Sequence, residues 1–257
     1  MKKLLLSILM FAVCALFADD KSAKPQFRVG VNIGFPPMIY AEKGKIVGLE
    51  VDFAQKFCEE NGYELVLINM DFKELIPALN AKRVDAIMSA MSYTDTRAKR
   101  VAFTKSYLTV SQMPLLHRID FQKYDSALSV INAIGNIGVI ERYTAETFVK
   151  DNFYYCNVVV LKDSKNAIEA LLAKKIDMLV ADSTLVMWLA SNFESSGIAP
   201  MPIVLDKESL CWAVRQDNPK LLAALNQFID THRKDGTLDK MINAKQPYYD
   251  EKIYIEH

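Results

Sequence analysis

Two residues of opposite charge stand out for what surrounds them. Arg97 ends a hydroxyl-rich run, Ser89-Ala90-Met91-Ser92-Tyr93-Thr94-Asp95-Thr96. A guanidinium presents paired, directional donors to a carboxylate, which a lysine cannot do, and the hydroxyls and amides of that run could add more. Asp182 closes an apolar stretch, Met178 to Ala181, that reads as a buried parallel strand. Ligands of open α/β sheets sit beyond the carboxyl ends of strands, and a carboxylate there suits an ammonium. Together the pair could hold a small zwitterion. Plainer readings stand beside this one: Arg97 has Lys99 and Arg100 as neighbours, as a solvated arginine would, and Asp182 precedes a helical segment starting near Ser183, where aspartate commonly caps. Neither His117 nor His232 falls in a catalytic motif, so no general acid is evident.

The elements that must carry these residues follow from periodicity. The β-rich runs Phe27 to Val31 and Tyr63 to Ile68 alternate with segments of helical period, Val51 to Glu60, Leu75 to Ala81 and Ala167 to Ala173. Strands alternating with helices predict parallel sheets with right-handed crossovers. Two short segments read as passages between lobes: residues 111–114, and Leu210 to Val214. Lobe one is then discontinuous, 26–112 plus 213–257, with lobe two at 113–212. Two passages make a hinge that can close on a ligand.

The N-terminus sets the compartment. Lys2 and Lys3 precede an apolar stretch from Leu4 to Phe17, and Ala18 precedes Asp19 and Asp20. That is the layout of a secretory signal peptide, read as residues 1–18 and cleaved after Ala18. The stretch falls short of the roughly 20 residues a spanning helix needs. Cys14 follows Val13, where a lipoprotein signal carries a small residue, which favours a cleaved leader over a lipid anchor. The expectation is a soluble protein in the periplasm. Without the leader, 29 basic residues face 31 acidic ones, a balance that offers nothing to nucleic acid or to an anionic surface. The cysteines left, Cys58, Cys156 and Cys211, are odd in number and lie at no metal-ligand spacing, so neither a disulfide framework nor a metal centre is indicated.

Several motifs in order carry a resemblance. Arg28-Val29-Gly30, Phe35-Pro36-Pro37, Gly48-Leu49-Glu50-Val51-Asp52, Leu75-Ile76-Pro77-Ala78-Leu79, Asp85, the run from Ser89 to Arg97, Ile137-Gly138-Val139, Asp177 to Asp182, and Asp235 to Lys240 closely resemble the family 3 solute-binding proteins. These are the polar amino-acid receptors of ABC importers. The resemblance implies a type II periplasmic-binding-protein-like fold: α/β, two lobes, each a mainly parallel sheet flanked by helices, joined by a two-segment hinge. It implies a monomer that closes on a free L-amino acid and delivers it to a membrane permease, without a cofactor and without catalysis.

The resemblance also assigns roles. Arg97 falls where the family binds the carboxylate, Asp182 where it binds the ammonium. Ser92 would add hydroxyl and amide, Ala90 a backbone carbonyl, and Ser89 and Met91 would complete the loop. Phe35 and Phe72 match aromatic clamps over the ligand's stem. Where receptors for basic amino acids carry an acid, this chain has Asn32, favouring an uncharged polar or medium apolar side chain. The second-lobe turn, usually Gly-Thr-rich, reads Glu141-Arg142-Tyr143-Thr144, which leaves Tyr143 and Thr144 as contacts in a crowded turn and makes an acidic ligand on Arg142 the next option. Cys58 lies where some relatives form a bridge, but Leu65 occupies the partner position. Two alternatives share the fold: an exported dehydratase acting on prephenate-like acids, and a receptor presenting its ligand to a separate sensor.

Overall fold

A computed structural model describes residues 24–245. The leader, with its cleavage site and Cys14, lies outside the described residues. The first sheet is built from β1 (Gln26–Val31), β4 (Glu64–Asn69), β5 (Ala86–Ile87), β6 (Ala102–Phe103) and β13 (Ala213–Val214), in the order β4-β1-β5-β13-β6, with the hairpin β2 (Tyr40–Glu42) and β3 (Lys45–Val47) beside it. β1 runs parallel to β4 and β5, and β13 antiparallel to β5 and β6.

Between β1 and β4 lies α1 (Leu49–Asn61), which buries Leu49, Phe53, Ala54, Phe57 and Cys58, the one-face spacing of a 3.6-residue period. Gly48 sets its entry. Its φ is 130°, and a Cβ there would meet the Met38 carbonyl oxygen at 2.3 Å, so only glycine fits. Gly62, in the left-handed conformation, ends the helix. α2 (Phe72–Asn80) buries Leu75, Ile76, Ala78 and Leu79. The short α3 (Asp95–Ala98) is capped by Thr94, whose side chain accepts from the Arg97 amide.

The second sheet has the order β11-β7-β10-β8-β9, from β7 (Leu108–His117), β8 (Gly135–Ile140), β9 (Cys156–Leu161), β10 (Met178–Asp182) and β11 (Ile198–Pro200), and β12 (Asp206–Leu210) also pairs with β7. β8 is parallel to β9 and β10, joined through α5 (Thr144–Asn152) and α6 (Ser164–Leu172), while β7 is antiparallel to its neighbours. α4 (Ala127–Ile131) and α7 (Ser183–Asn192) flank this sheet, and α8 (Pro219–Lys234) and α9 (Thr237–Lys245) return to the first lobe, where Leu225, Phe228, Ile229, Leu238 and Ile242 enter the core. The parallel halves are the βαβ units. The antiparallel strands are those that carry the chain between lobes.

Ser111 to Pro114 lies within β7, which pairs with β12 over Leu108–Gln112 and with β10 over Gln112–Leu116. Pro114 is tolerated because its position uses only the carbonyl, which accepts from the Met201 amide at 2.9 Å. The chain passes from the first sheet to the second over residues 104–107, before β7, and back over residues 211–212, between β12 and β13. Cys58 and Cys211 are buried, Cys156 is half-buried, and all three are free thiols. Burial pushes the thiols of Cys58 and Cys211 up to about 11.

Candidate ligand-binding cleft

Where the lobes face each other, Asn32, Phe35, Phe72, Ser89, Ala90, Ser92, Arg97, Arg142, Tyr143, Thr144 and Asp182 line one pocket. Lobe one supplies the residues through Arg97, and lobe two the rest. The lobes touch across the cleft. Phe35 meets Tyr143 edge to face at 5.3 Å between centroids, and the Ser164 hydroxyl donates to the Gly34 carbonyl at 2.9 Å.

Arg97 is the less exposed of the two arginines that line the pocket. Its Nη1 donates to the Ser92 carbonyl at 2.8 Å and its guanidinium carbon stands 5.0 Å from the Phe72 centroid, a cation–π distance. The remaining guanidinium N–H groups make no hydrogen bond among the described residues. Burial lowers the Arg97 pKa, and the charges of Glu208 and Asp182 oppose that shift.

Asp182 occupies the position preceding α7, yet its side chain caps nothing. Instead its Oδ1 accepts from Gln112 Nε2 at 2.7 Å. The same nitrogen donates to Glu208 Oε1 at 2.9 Å, and Glu208 Oε2 accepts from the Thr144 hydroxyl at 2.7 Å. Burial first, and then the charge of Glu208, raise the Asp182 carboxyl to about 7, against the Gln112 hydrogen bond and the charge of Arg97. Gln112 and Glu208 escaped sequence reasoning because they meet Asp182 from positions 70 residues before and 26 residues after it, on strands carrying no site motif.

The loop backbone is held in place by other groups. Ser89 Oγ accepts from the Asn32 amide at 2.8 Å, and Asn32 Nδ2 donates to the Met70 carbonyl at 2.9 Å, so the Asn32 Oδ1 is the atom left to a ligand. Ala90 adopts a left-handed φ of 48° and gives its N–H to Glu50 Oε1 at 2.5 Å, leaving its carbonyl to offer. Met91 departs from expectation. It is fully buried, in a cluster with Leu75, Leu79, Val84 and Ile87, because the left-handed turn at Ala90 breaks strict alternation and leaves Ser89, Ala90 and Ser92 lining the pocket with Met91 packed behind them. In lobe two, Arg142 has φ of 70° and pairs with Glu141 at 2.9 Å. It lines the pocket as well, and its amide donates to Glu146 at the start of α5. Burial, then the charge of Asp182, pushes the Tyr143 hydroxyl well up. The first N–H groups of α5, at Thr144 and Ala145, form a helix N-terminus beside the pocket, a setting that favours anions.

Residues 27–245 match the bacterial extracellular solute-binding proteins, family 3. The chain belongs to that family. This family 3 solute-binding protein is 29% identical to the L-arginine-binding protein of Pseudomonas aeruginosa, with 99% of each chain covered. It is 28% identical to the histidine-binding periplasmic protein of Salmonella typhimurium, again over 99% of each. Among solved structures, an ancestral arginine-binding protein bound to glutamine superposes with a TM-score of 0.76 at 26% identity, covering 86% of this chain and 98% of that one. Family membership places this solute-binding protein outside the cytoplasm. Among the described residues no helix is long and apolar enough to cross a membrane.

Proposed function

We propose that the protein captures one free L-amino acid between its lobes and presents it to the membrane permease of an ABC importer. The observation that carries this reading is the convergence of Arg97 and Asp182, from different lobes, on one small aromatic-lined pocket. The ligand's carboxylate takes the free guanidinium donors of Arg97, the Ser92 hydroxyl and the first amides of α5. Its ammonium takes Asp182 and the Ala90 carbonyl. Phe35, Phe72 and Tyr143 cover the stem, and Ser89 serves by fixing the Asn32 backbone. A ligand bridging charges on both lobes favours the closed form by its differential affinity. The leader at residues 1–18 directs a monomer to the periplasm, and the site binds without transforming its ligand.

For the side chain, the Asn32 oxygen offers an acceptor without charge, and Glu141 beside the pocket is already paired with Arg142 at 2.9 Å. That combination suits an uncharged side chain carrying a donor. The named specificities of the arginine- and histidine-binding relatives favour a second reading, a basic side chain whose cation meets the same oxygen. A thermal-shift panel of the proteinogenic amino acids separates the two. Binding to the folded state alone adds about 2.7 kcal/mol at a hundredfold excess over Kd. An uncharged donor such as glutamine should raise Tm most. A response only to lysine, arginine and histidine selects the second reading, and no response to any amino acid defeats both. Incubation with prephenate should leave it unchanged; product formation would point to the dehydratase alternative.

A further inference from the structure

Glu50, the second residue of α1, is 1% exposed. Among the described residues no lysine or arginine pairs with it, and burial raises its pKa. Three donors meet it: the Ala90 amide at 2.5 Å and the Tyr107 hydroxyl at 2.6 Å on Oε1, and the Trp212 indole N–H at 2.9 Å on Oε2. They come from three places that matter for capture. Ala90 lines the pocket. Tyr107 stands in the first passage between lobes, just before β7, and Trp212 in the second, between β12 and β13.

The same region is stitched by backbone contacts. The Cys211 amide donates to the Met91 carbonyl at 3.0 Å, Tyr93 to Ser209 at 2.8 Å, and Tyr107 to Leu210 at 3.0 Å. The Tyr107 ring stacks on Trp212 at 5.2 Å and 23°. One carboxylate thus ties the binding loop to both passages, and it holds Ala90 in a left-handed conformation that costs a non-glycine residue energy.

We propose that Glu50 is the positioning residue that couples the binding loop to the hinge, holding the Ala90 carbonyl in ligand-contacting geometry while both passages keep the arrangement of this structure. Resting on the amino-acid-binding reading above, it adds a residue that touches no ligand yet sets affinity.

Glu50→Gln isolates the claim. An amide placed here keeps its oxygen toward either Ala90 or Trp212, and its NH2 then faces an N–H that cannot accept. Leaving such a buried donor unpaired costs enough to weaken binding about tenfold or more, because the misfit is relieved when the loop withdraws from the binding geometry. Glu50→Gln combined with Trp212→Phe removes the opposing indole N–H, so the glutamine oxygen can serve Ala90 again.

The test is calorimetric titration of the full chain with an equimolar mixture of the proteinogenic L-amino acids, alongside melting curves. The expected result is weaker binding in Glu50→Gln and recovery of most of it in the double variant, although Trp212→Phe itself lowers Tm. A purely structural role predicts the opposite, a double variant binding no better than the single, and that result overturns the proposal. If Glu50→Gln does not fold, Tyr107→Phe, which removes one donor and leaves the carboxylate, should still weaken binding about threefold, and unchanged affinity there overturns it too. A wild-type chain that binds nothing in the mixture defeats the amino-acid reading itself, and this proposal with it.

Discussion

Replacing Asp182 by asparagine should make the empty protein more stable and its ligand complex weaker. Burial and the neighbouring Glu208 charge raise the Asp182 carboxyl from 3.8 to about 7, and each unit of such a shift corresponds to about 1.4 kcal/mol. Between about pH 4 and 7 the folded chain keeps a proton there that the unfolded chain has released. Stability therefore falls as pH rises through that window and stays reduced above it. The penalty reaches at most about 4 kcal/mol above pH 7 and vanishes below pH 4, where the group is neutral in both states. Asparagine is neutral throughout, keeps an oxygen for the Gln112 amide, and forfeits no cap, because the Asp182 side chain caps nothing. Denaturation midpoints of the two proteins at about pH 4, 6 and 8 should separate progressively, the variant being the more stable at the top. In parallel, titration near pH 8 should show affinity lowered by about tenfold to a hundredfold, the value of a hydrogen bond to a charged group. A stability gap independent of pH, or a variant less stable near pH 8, would refute the electrostatic reasoning.

Three further outcomes follow from the same geometry. Because the ligand's ammonium needs the ionised form of Asp182, affinity should rise about tenfold per unit as pH approaches 7 and level off above it; calorimetry across that range checks this, and a flat profile contradicts it. Asn32→Asp should turn preference toward lysine, arginine or ornithine and away from uncharged side chains, since the new carboxylate would be enclosed unpaired by a neutral ligand; an unchanged ranking of the two classes would remove Asn32 from the ligand's reach. Gly48→Ala should destabilise the fold by about 2 kcal/mol or more, because the added carbon meets the Met38 carbonyl at 2.3 Å in a backbone conformation that disfavours side chains; an unshifted denaturation midpoint would dispose of that argument.

The elements were readable where local periodicity and tertiary demand agree. α1 announces itself through Leu49, Phe53, Phe57 and the terminal glycines, and β10 through an unbroken apolar run that ends on Asp182. The loop from Ser89 to Arg97 was readable as chemistry because its hydroxyls and its cation lie together in sequence. What stayed hidden depends on contacts between distant segments. Nothing local marks Glu208 or Gln112 as partners of Asp182, and Glu50 lies in a recognisable motif whose three donors come from 40, 57 and 162 residues away. Met91 is hidden because the left-handed turn at Ala90, which nothing local announces, turns the Met91 side chain into the core while Ser89, Ala90 and Ser92 line the pocket.

The most direct test is calorimetric titration of wild-type protein and Arg97→Ala with the amino acid that raises Tm most. Arg97 is half-buried whereas Arg142, the other arginine lining the pocket, is exposed, and an enclosed carboxylate left without its partner costs about 3–5 kcal/mol. Affinity should therefore fall by at least a hundredfold, with Arg97→Lys recovering part of it. Near wild-type affinity in Arg97→Ala would contradict the account, placing the ligand's carboxylate elsewhere.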